Sequence, residues 1–200
     1  MLVATAMDIL AGFDEAGRGC LAGPVIAAAV ILPPEGDPIL GLDDSKRLSP
    51  KARARLADLI KTEALAFAVG RAEPLEIDHY NILRASLLAM QRACQSLSLT
   101  PTYGLIDGPH CPDLPFRTKG IIHGDRLEPS ISAASILAKV ARDQEMIMAD
   151  RLYPGYGFAV HKGYPTAAHR KALMTLGPSP IHRMSFKPVE AAIDRLETIR

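Results

Sequence analysis

The chain has 200 residues, of which 48% are hydrophobic, and this is enough apolar material for one compact core. Its 23 basic and 22 acidic residues balance closely, which excludes both a disordered acidic segment and a uniformly basic nucleic-acid coat. Any site for a polyanion must therefore be local. Because no repeat, low-complexity tract or linker marks a boundary, we predict a single domain over residues 1–200.

Cysteine usage and the N-terminal segment indicate where the chain works. Three cysteines without a C-x-x-C spacing, Cys20, Cys94 and Cys111, provide neither a disulfide framework nor a zinc site. The first ten residues lack a basic segment, and no apolar run approaches the roughly 18 residues of a membrane span. We therefore expect a cytoplasmic protein without a membrane partner.

The first third of the chain alternates between strand and helix patterns. Apolar runs at residues 9–13 and 25–32 predict two strands, separated by a glycine-rich stretch that is either a functional loop or a tight turn. Ser49 then resembles an N-cap before a helix from Pro50 to about Glu63. A third strand is predicted over residues 65–70.

The middle of the chain continues this alternation. A helical pattern follows Pro74 and ends before Pro101, with one face formed by Ile82, Leu83, Ser86, Leu87, Met90 and Ala93. Short strands are predicted at residues 103–106 and 120–122. Alternating strands and helices favour an α/β fold with a central sheet.

The last third is predicted to be largely helical. The strongest pattern is from Ser130 to about Arg151, with Ile136, Val140 and Ile147 as its buried stripe. Asp143 lies on the same stripe, and since a buried carboxylate needs a partner we interpret it as structural, paired with a nearby Arg or Lys. Loops at residues 153–164 and 177–180 then surround helices beginning near residues 166 and 188.

Three carboxylates follow the ends of predicted strands. Asp14 and Glu15 come after the first strand and Asp107 after a later one, so all three could meet at one edge of the sheet. Carboxylates that meet stay ionised only if a cation lies between them or their pKa values are pushed apart. The alternative for any single one is a solvated turn residue.

Such a cluster has a characteristic chemistry. With no cysteine and no helical H-x-x-x-H pair, oxygen ligands favour Mg²⁺ or Mn²⁺ over zinc. Two such ions roughly 3.5–4 Å apart can activate water and neutralise the leaving oxygen in phosphoryl transfer. Gly17-Arg18-Gly19, directly after the acids, lets the backbone approach a ligand and adds a forked donor. Alone the loop is a weak signal, and a simple strand-joining turn is its alternative.

The segment FDEAGRGCLAGPVIAAAV resembles the signature of the type 2 ribonucleases H (ribonuclease HII). Seven further blocks resemble the family in its order: DDSKRLS at 43–49, YNILRASLLAM at 80–90, LIDG at 105–108, HGD at 123–125, ISAASILAKVARD at 131–143, HKGYPTAAH at 161–169 and GPSPIHRMSF at 177–186. The resemblance covers nearly the whole chain. It implies a ribonuclease H-like central mixed sheet flanked by helices, with a helical C-terminal extension from about residue 151 that grips substrate.

The resemblance also implies residue roles. Asp14, Glu15, Asp107 and Asp125 would be the catalytic ligands of Mn²⁺ or Mg²⁺. The Gly17-Arg18-Gly19 motif would contact the 2′-hydroxyl that distinguishes RNA from DNA.

Further substrate contacts are expected around these residues. Tyr164 resembles the tyrosine that packs against the next sugar, although a tyrosine packed in a loop is its alternative. Lys46, with Ser45 and Arg47, is a candidate phosphate contact beside Lys139, Lys162 and Arg183, although most basic side chains are solvated surface. The chain departs from the usual pattern at Cys20, Pro109 and His123.

The activity implied is endonucleolytic hydrolysis of RNA in RNA–DNA hybrids and at single ribonucleotides embedded in duplex DNA, giving 3′-hydroxyl and 5′-phosphate ends. The expected partners are those duplexes, and the enzyme is expected to be a monomer. Two alternatives stay open. One is another metal nuclease or resolvase of the same superfamily that reads DNA shape, and the other is a nucleic-acid or nucleotide-binding module without chemistry.

Overall fold

The computed structural model describes residues 9–34, 39–43 and 45–198. Residues 1–8, which include most of the N-terminal segment used to predict a cytoplasmic protein, lie outside the described residues, as does Asp44 of the DDSKRLS block. In the described part of the chain, no helix is both long and apolar enough to cross a membrane. All three cysteines are free thiols.

Five strands form one mixed sheet in the order β3-β2-β1-β4-β5. The first three pair antiparallel, whereas β4 is parallel to both β1 and β5. The mixed sheet of the predicted fold class is therefore confirmed. The strands are β1 (Leu10–Ala16), β2 (Val25–Ile31), β3 (Ala66–Ala72), β4 (Tyr103–Asp107) and β5 (Arg117–Ile121).

Helices follow and cover these strands. The first begins as predicted, because the Ser49 hydroxyl accepts a hydrogen bond from the Ala52 N–H at 3.2 Å, with proline in the first turn. In the described residues the helices are α1 (Pro50–Glu63), α2 (Pro74–Tyr80), α3 (Ile82–Gln95), α4 (Gly124–Leu127), α5 (Pro129–Leu152), α6 (Phe158–His161), α7 (Ala167–Leu176) and α8 (Lys187–Thr198).

Both faces of the sheet are covered, as predicted. Strand β2 is buried along its whole length, and alternate residues face opposite sides. Val25, Ala27, Ala29 and Ile31 pack with α3, whereas Ala28 and Val30 pack with α1 and α5. In β1, a Cβ on Gly12 would lie 2.2 Å from the Ser130 carbonyl carbon, so glycine lets α5 pack directly on this strand. This close approach brings α5 beside the end of β1, which carries the first acids.

Two predicted elements differ from the structure. The helical pattern after Pro74 is interrupted at Asn81, whose φ of 70° ends α2 and whose side chain caps α3 through the Arg84 N–H at 3.1 Å. Strand β5 begins at Arg117 rather than near residue 120. As an edge strand with mostly polar residues it lacks the apolar run on which the prediction depended.

The predicted stripe on α5 is correct only in its first part. Ile136 is buried and Val140 is partly buried, but Ile147 is 41% exposed and its predicted burial is wrong. The helix extends beyond the sheet, and its later part packs on the C-terminal region through Met146 instead. A regular helical spacing of apolar residues cannot show where along α5 the packing partner changes from the sheet to the C-terminal region.

The C-terminal helices pack against the loop between β1 and β2 through two small apolar clusters. One contains Leu21, Leu173, Val189 and Ala192, and the other contains Ala22, Met146, Tyr156 and Phe158. Because Leu21 and Ala22 belong to the loop, the C-terminal region holds the chain that directly follows the strand-end acids.

Candidate active site

Two of the predicted acids lie next to each other where the parallel pairing of β1 with β4 ends, although β1 continues past Asp14 to Ala16 rather than ending before it as predicted. Phe13 of β1 pairs with Ile106 of β4, so the next residues along the two strands are Asp14 and Asp107. Glu15 follows in β1. Asp14 is only 6% exposed, which excludes the solvated-turn alternative for this residue.

Asp125 reaches the same place from the other side of β4. It follows β5 through a turn in which His123 has a left-handed φ of 58°, and it lies in the short helix α4. Its backbone N–H donates to Asp107 Oδ1 at 3.4 Å, and its carbonyl accepts the Ser132 hydroxyl at 2.5 Å. The Asp125 side chain is also buried.

Each strand-end carboxylate has a local partner. Asp14 Oδ1 accepts the Glu15 N–H at 2.6 Å, and Glu15 Oε1 lies 3.1 Å from Arg18 Nη1.

Within residues 9–34, 39–43 and 45–198, no three His, Cys, Asp or Glu side chains are arranged so as to hold a metal ion. The four acids therefore share one edge of the sheet, but their side chains do not form a closed set of ligands.

The electrostatics of the edge are unfavourable to negative charge. Burial raises the pKa of Asp14 well above its usual range, and the charges of Glu15 and Asp107 act in the same direction, while a hydrogen bond with Ser135 opposes them. Burial also raises the pKa of Glu15, against the opposing charge of Arg18. A cation would offset this repulsion, and a donor set made only of oxygens suits a hard divalent ion.

The loop Gly17-Arg18-Gly19 borders the acids. Gly17 is buried with a φ of 101°, and a Cβ there would lie 2.0 Å from Arg142 Nε, so only glycine fits. Arg18 and Gly19 are exposed. Arg18 borders a shallow depression that is also lined by Glu15, Leu83, Met90, Asp107 and His110.

Tyr164 is at the surface and is held from below. Lys139 Nζ lies 5.6 Å from the centroid of its ring and 2.6 Å from Asp143 Oδ1. Asp143 also lies 3.8 Å from Arg53, so its predicted structural pairing with basic side chains is confirmed. The contact with Lys139 stabilises the orientation of an aromatic ring that is 36% exposed.

Ser45 and Lys46 are placed differently from each other. Ser45 is buried, and its Oγ lies within hydrogen-bond distance of Ser135 Oγ, at 3.0 Å, so it supports the loop rather than facing a phosphate. Lys46 is exposed, and its charge acts on the Glu15 carboxylate. Ser135, in the ISAAS stretch of α5, hydrogen bonds with both Ser45 and Asp14. The sequence pattern predicted only a helix there and gave no sign of this contact with an acid.

Two other basic residues that were predicted near the phosphate contacts have partners within the protein. Arg183, predicted near the phosphate contacts, is fully buried, and among the residues that the structure describes its hydrogen-bond partners are backbone carbonyls. Lys162 donates to the Ala159 carbonyl. Among the departures from the family pattern, Cys20 is buried, whereas Pro109 and His123 are exposed.

A mixed five-stranded sheet covered by helices, with acids at the ends of its neighbouring parallel strands, defines a ribonuclease H-like α/β protein. The crystal structure of the ribonuclease H2 from Pyrococcus horikoshii OT3 matches it with a TM-score of 0.79 at 25% identity, covering 94% of this chain and 98% of that one.

Sequence comparison identifies the family. The family model described as Ribonuclease HII matches residues 11–189. The chain is 58% identical over 185 residues to the ribonuclease HII of Nitrosococcus oceani, covering 92% of each, and 59% identical over 181 residues to that of Coxiella burnetii, covering 90% and 89%. The chain belongs to the ribonuclease HII family, and it is accordingly a metal-dependent endoribonuclease of the ribonuclease H type.

Proposed function

We propose that this enzyme hydrolyses the RNA strand of RNA–DNA hybrids and also cuts duplex DNA at single embedded ribonucleotides. The observation that carries the proposal is the adjacency of Asp14 and Asp107 at the ends of β1 and β4, beside the loop that begins at Gly17. Acids at this edge can hold cations against a phosphate while the loop contacts the neighbouring sugar. Cleavage breaks the bond from phosphorus to the 3′ oxygen and leaves a 3′-hydroxyl and a 5′-phosphate.

In this proposal Asp14, Glu15, Asp107 and Asp125 hold two divalent ions, Mn²⁺ or Mg²⁺. Bound divalent ions supply Lewis-acid chemistry, which makes water a better nucleophile and stabilises charge on the leaving oxygen. The buried position of Asp14 and Asp125 keeps competing water away from their oxygens. Arg18 pairs with Glu15 at 3.1 Å, and its exposed guanidinium can donate hydrogen bonds to a phosphate or sugar oxygen beside the acids.

Recognition of the substrate is assigned to the surface around the acids. The backbone of Gly17, Arg18 and Gly19 reads the 2′-hydroxyl, and the exposed ring of Tyr164 packs against the next sugar. Lys46, supported by Ser45, attracts the phosphate backbone. Residues 1–200 act as one catalytic domain, in which the part from about residue 151 grips the duplex.

The enzyme is proposed to work as a monomer in the cytoplasm. Its three free thiols are consistent with a reducing compartment. Sedimentation at several protein concentrations tests the monomer, and a second species at micromolar concentration would contradict it.

The decisive experiment is a metal-titrated cleavage assay on matched duplexes that contain one ribonucleotide, an RNA strand, or only DNA. Asp107→Asn should abolish turnover while binding of the hybrid is largely retained, because the substitution removes a negative ligand without changing side-chain volume. Asp58→Asn is the matched control, since its side chain is 82% exposed on α1, and it should retain full activity.

Each rival has its own outcome in this assay. A shape-reading nuclease would cut the all-DNA duplex as well, and a binding module would cut none of the three. Normal cleavage by the Asp107→Asn variant would remove this residue from the mechanism. Mapping the product ends by mass spectrometry tests the 3′-hydroxyl and 5′-phosphate directly.

A further inference from the structure

Two fully buried arginines lie behind the Gly17-Arg18-Gly19 loop. Arg183 comes from the C-terminal region and Arg142 from the middle of α5, and both are 0% exposed. Within the part of the chain that the structure describes, their hydrogen bonds go to main-chain carbonyls and not to a carboxylate. Burying a cation that no carboxylate hydrogen bonds directly is costly, and the charge of Asp78 offsets only part of this cost for Arg183.

Arg183 donates hydrogen bonds to the carbonyls of the two peptide bonds within the Gly17-Arg18-Gly19 loop. Its Nη2 lies 2.7 Å from the Gly17 carbonyl and its Nη1 lies 2.9 Å from the Arg18 carbonyl, while Nε donates to Gly23 at 3.0 Å. In a planar trans peptide the N–H points opposite to the C=O. Fixing these two carbonyls from the protein interior therefore directs the N–H groups of Arg18 and Gly19 away from the interior, toward the exposed side of the loop.

Arg142 connects this loop to the segment that carries Tyr164. Its Nη1 donates to the Lys162 carbonyl at 2.7 Å and its Nη2 donates to the Ala22 carbonyl at 3.0 Å. A main-chain bond from the Leu21 N–H to the Gly163 carbonyl, at 2.8 Å, joins the same two segments. The two parts of the surface that face substrate are thus held in one geometry by groups that never reach it.

We propose that Arg183, with Arg142, is a positioning residue for ribose recognition: it aims the peptide N–H groups of the Gly17-Arg18-Gly19 loop at the substrate and sets their distance from Tyr164. This rests on the proposed function of the loop in reading the 2′-hydroxyl. The fork of the guanidinium is required, because one planar group must reach carbonyls in different directions, which the single ammonium of lysine does not do.

The experiment measures discrimination rather than activity. In the Asp107→Asn background with Mg²⁺, fluorescence anisotropy compares the affinity for a DNA duplex that contains one ribonucleotide with the affinity for the same duplex made only of DNA. Arg183→Lys keeps the positive charge but loses the fork, and it should reduce this affinity ratio by about tenfold, or to unity if the starting ratio is smaller. Arg142→Lys should act in the same direction.

The matched control is Arg92→Lys, whose guanidinium also donates to a main-chain carbonyl, that of Arg71, but otherwise hydrogen bonds to Glu76 and not to the Gly17-Arg18-Gly19 loop. It should leave the affinity ratio unchanged. Circular dichroism and thermal melting identify any variant that does not fold, in which case the other loop-facing substitution, Arg142→Lys or Arg183→Lys, decides the question.

The outcomes separate the two proposals. If the lysine variants weaken both duplexes equally and keep the ratio, the arginines only stabilise the fold and the inference is overturned. If the parent protein itself binds both duplexes equally, recognition of the 2′-hydroxyl fails and the inference fails with it. A lower ratio in the lysine variants with a normal ratio in Arg92→Lys supports the inference.

Discussion

Acidification should destabilise this protein through a buried histidine cluster, in which His169 and His182 meet with their Nε2 atoms 3.1 Å apart. His182 Nδ1 accepts the Ser179 N–H at 2.9 Å, so its own proton is on Nε2 and is donated to His169. His169 in turn donates from Nδ1 to the Tyr164 carbonyl at 2.9 Å. These partners assign both rings as neutral, and a further proton on either ring would face another N–H.

The magnitude follows from the pKa of His182. Burial lowers this pKa from 6.5 to about 4, and the charge of His169 acts in the same direction. Between these pH values the unfolded chain binds more protons than the folded one, so stability is complete above pH 6.5 and is lost as the pH falls toward 4. At about 1.4 kcal/mol per pH unit the loss is about 3 kcal/mol. The lowered pKa of His169, caused mainly by burial, adds to it.

Urea unfolding of the native protein and of His182→Gln, at intervals from pH 4 to 8, measures this contribution. The difference between the two proteins is the useful quantity, because the buried Asp14 and Glu15 have raised pKa values and change stability in the opposite sense. The stability advantage of the native protein should shrink by about 3 kcal/mol between pH 7 and pH 4. A difference that stays constant with pH would refute the assignment of neutral buried rings.

Three further predictions concern single side chains. Gly17→Ala should lower the free energy of unfolding by roughly 2–4 kcal/mol in urea titrations, because its φ is 101° and the new Cβ would meet Arg142 Nε at 2.0 Å; a stable variant would contradict this. Tyr164→Ala should reduce kcat/KM on single-ribonucleotide duplexes by about tenfold in steady-state assays, with a smaller fall in melting temperature than the loss of a fully buried aromatic side chain would cause, since Tyr164 is 36% exposed. Glu76→Gln should cost about 1 kcal/mol at pH 7 and nothing near pH 2 in denaturant titrations, because hydrogen bonds from the partly exposed Arg92 lower the pKa of Glu76 to about 2; cleavage rates should not change.

Sequence reasoning was most accurate where the signal is local. The cap at Ser49, the apolar run of β2 and the acids near the ends of β1 and β4 depend on residues within a few positions of each other, and the structure contains each element. Strand β1 itself extends through Asp14 and Glu15 to Ala16 rather than ending before them. The family blocks added what single motifs lacked, because their order along the chain is specific. The family prediction is accordingly confirmed, whereas the metal ligands and substrate contacts remain proposals.

Long-range packing explains the errors. Ile147 matches the helical spacing, but the part of α5 that contains it lies beyond the sheet, so the residue is exposed. Arg183 is an ordinary basic residue in sequence, and only the return of the C-terminal region over the first loop buries it. The break at Asn81 depends on a left-handed backbone that no apolar pattern records.

The sequence by itself determined the alternation of strands and helices, the position of Asp14 and Asp107 at strand ends, and membership of the ribonuclease HII family. Those features arise from neighbouring residues or from ordered motifs. Only the tertiary structure decided which groups meet: Asp125 beside Asp107, Ser135 against Asp14, and two arginines behind a glycine loop up to 166 positions away. Such contacts depend on how the chain folds back on itself, and a periodicity carries no information about that path.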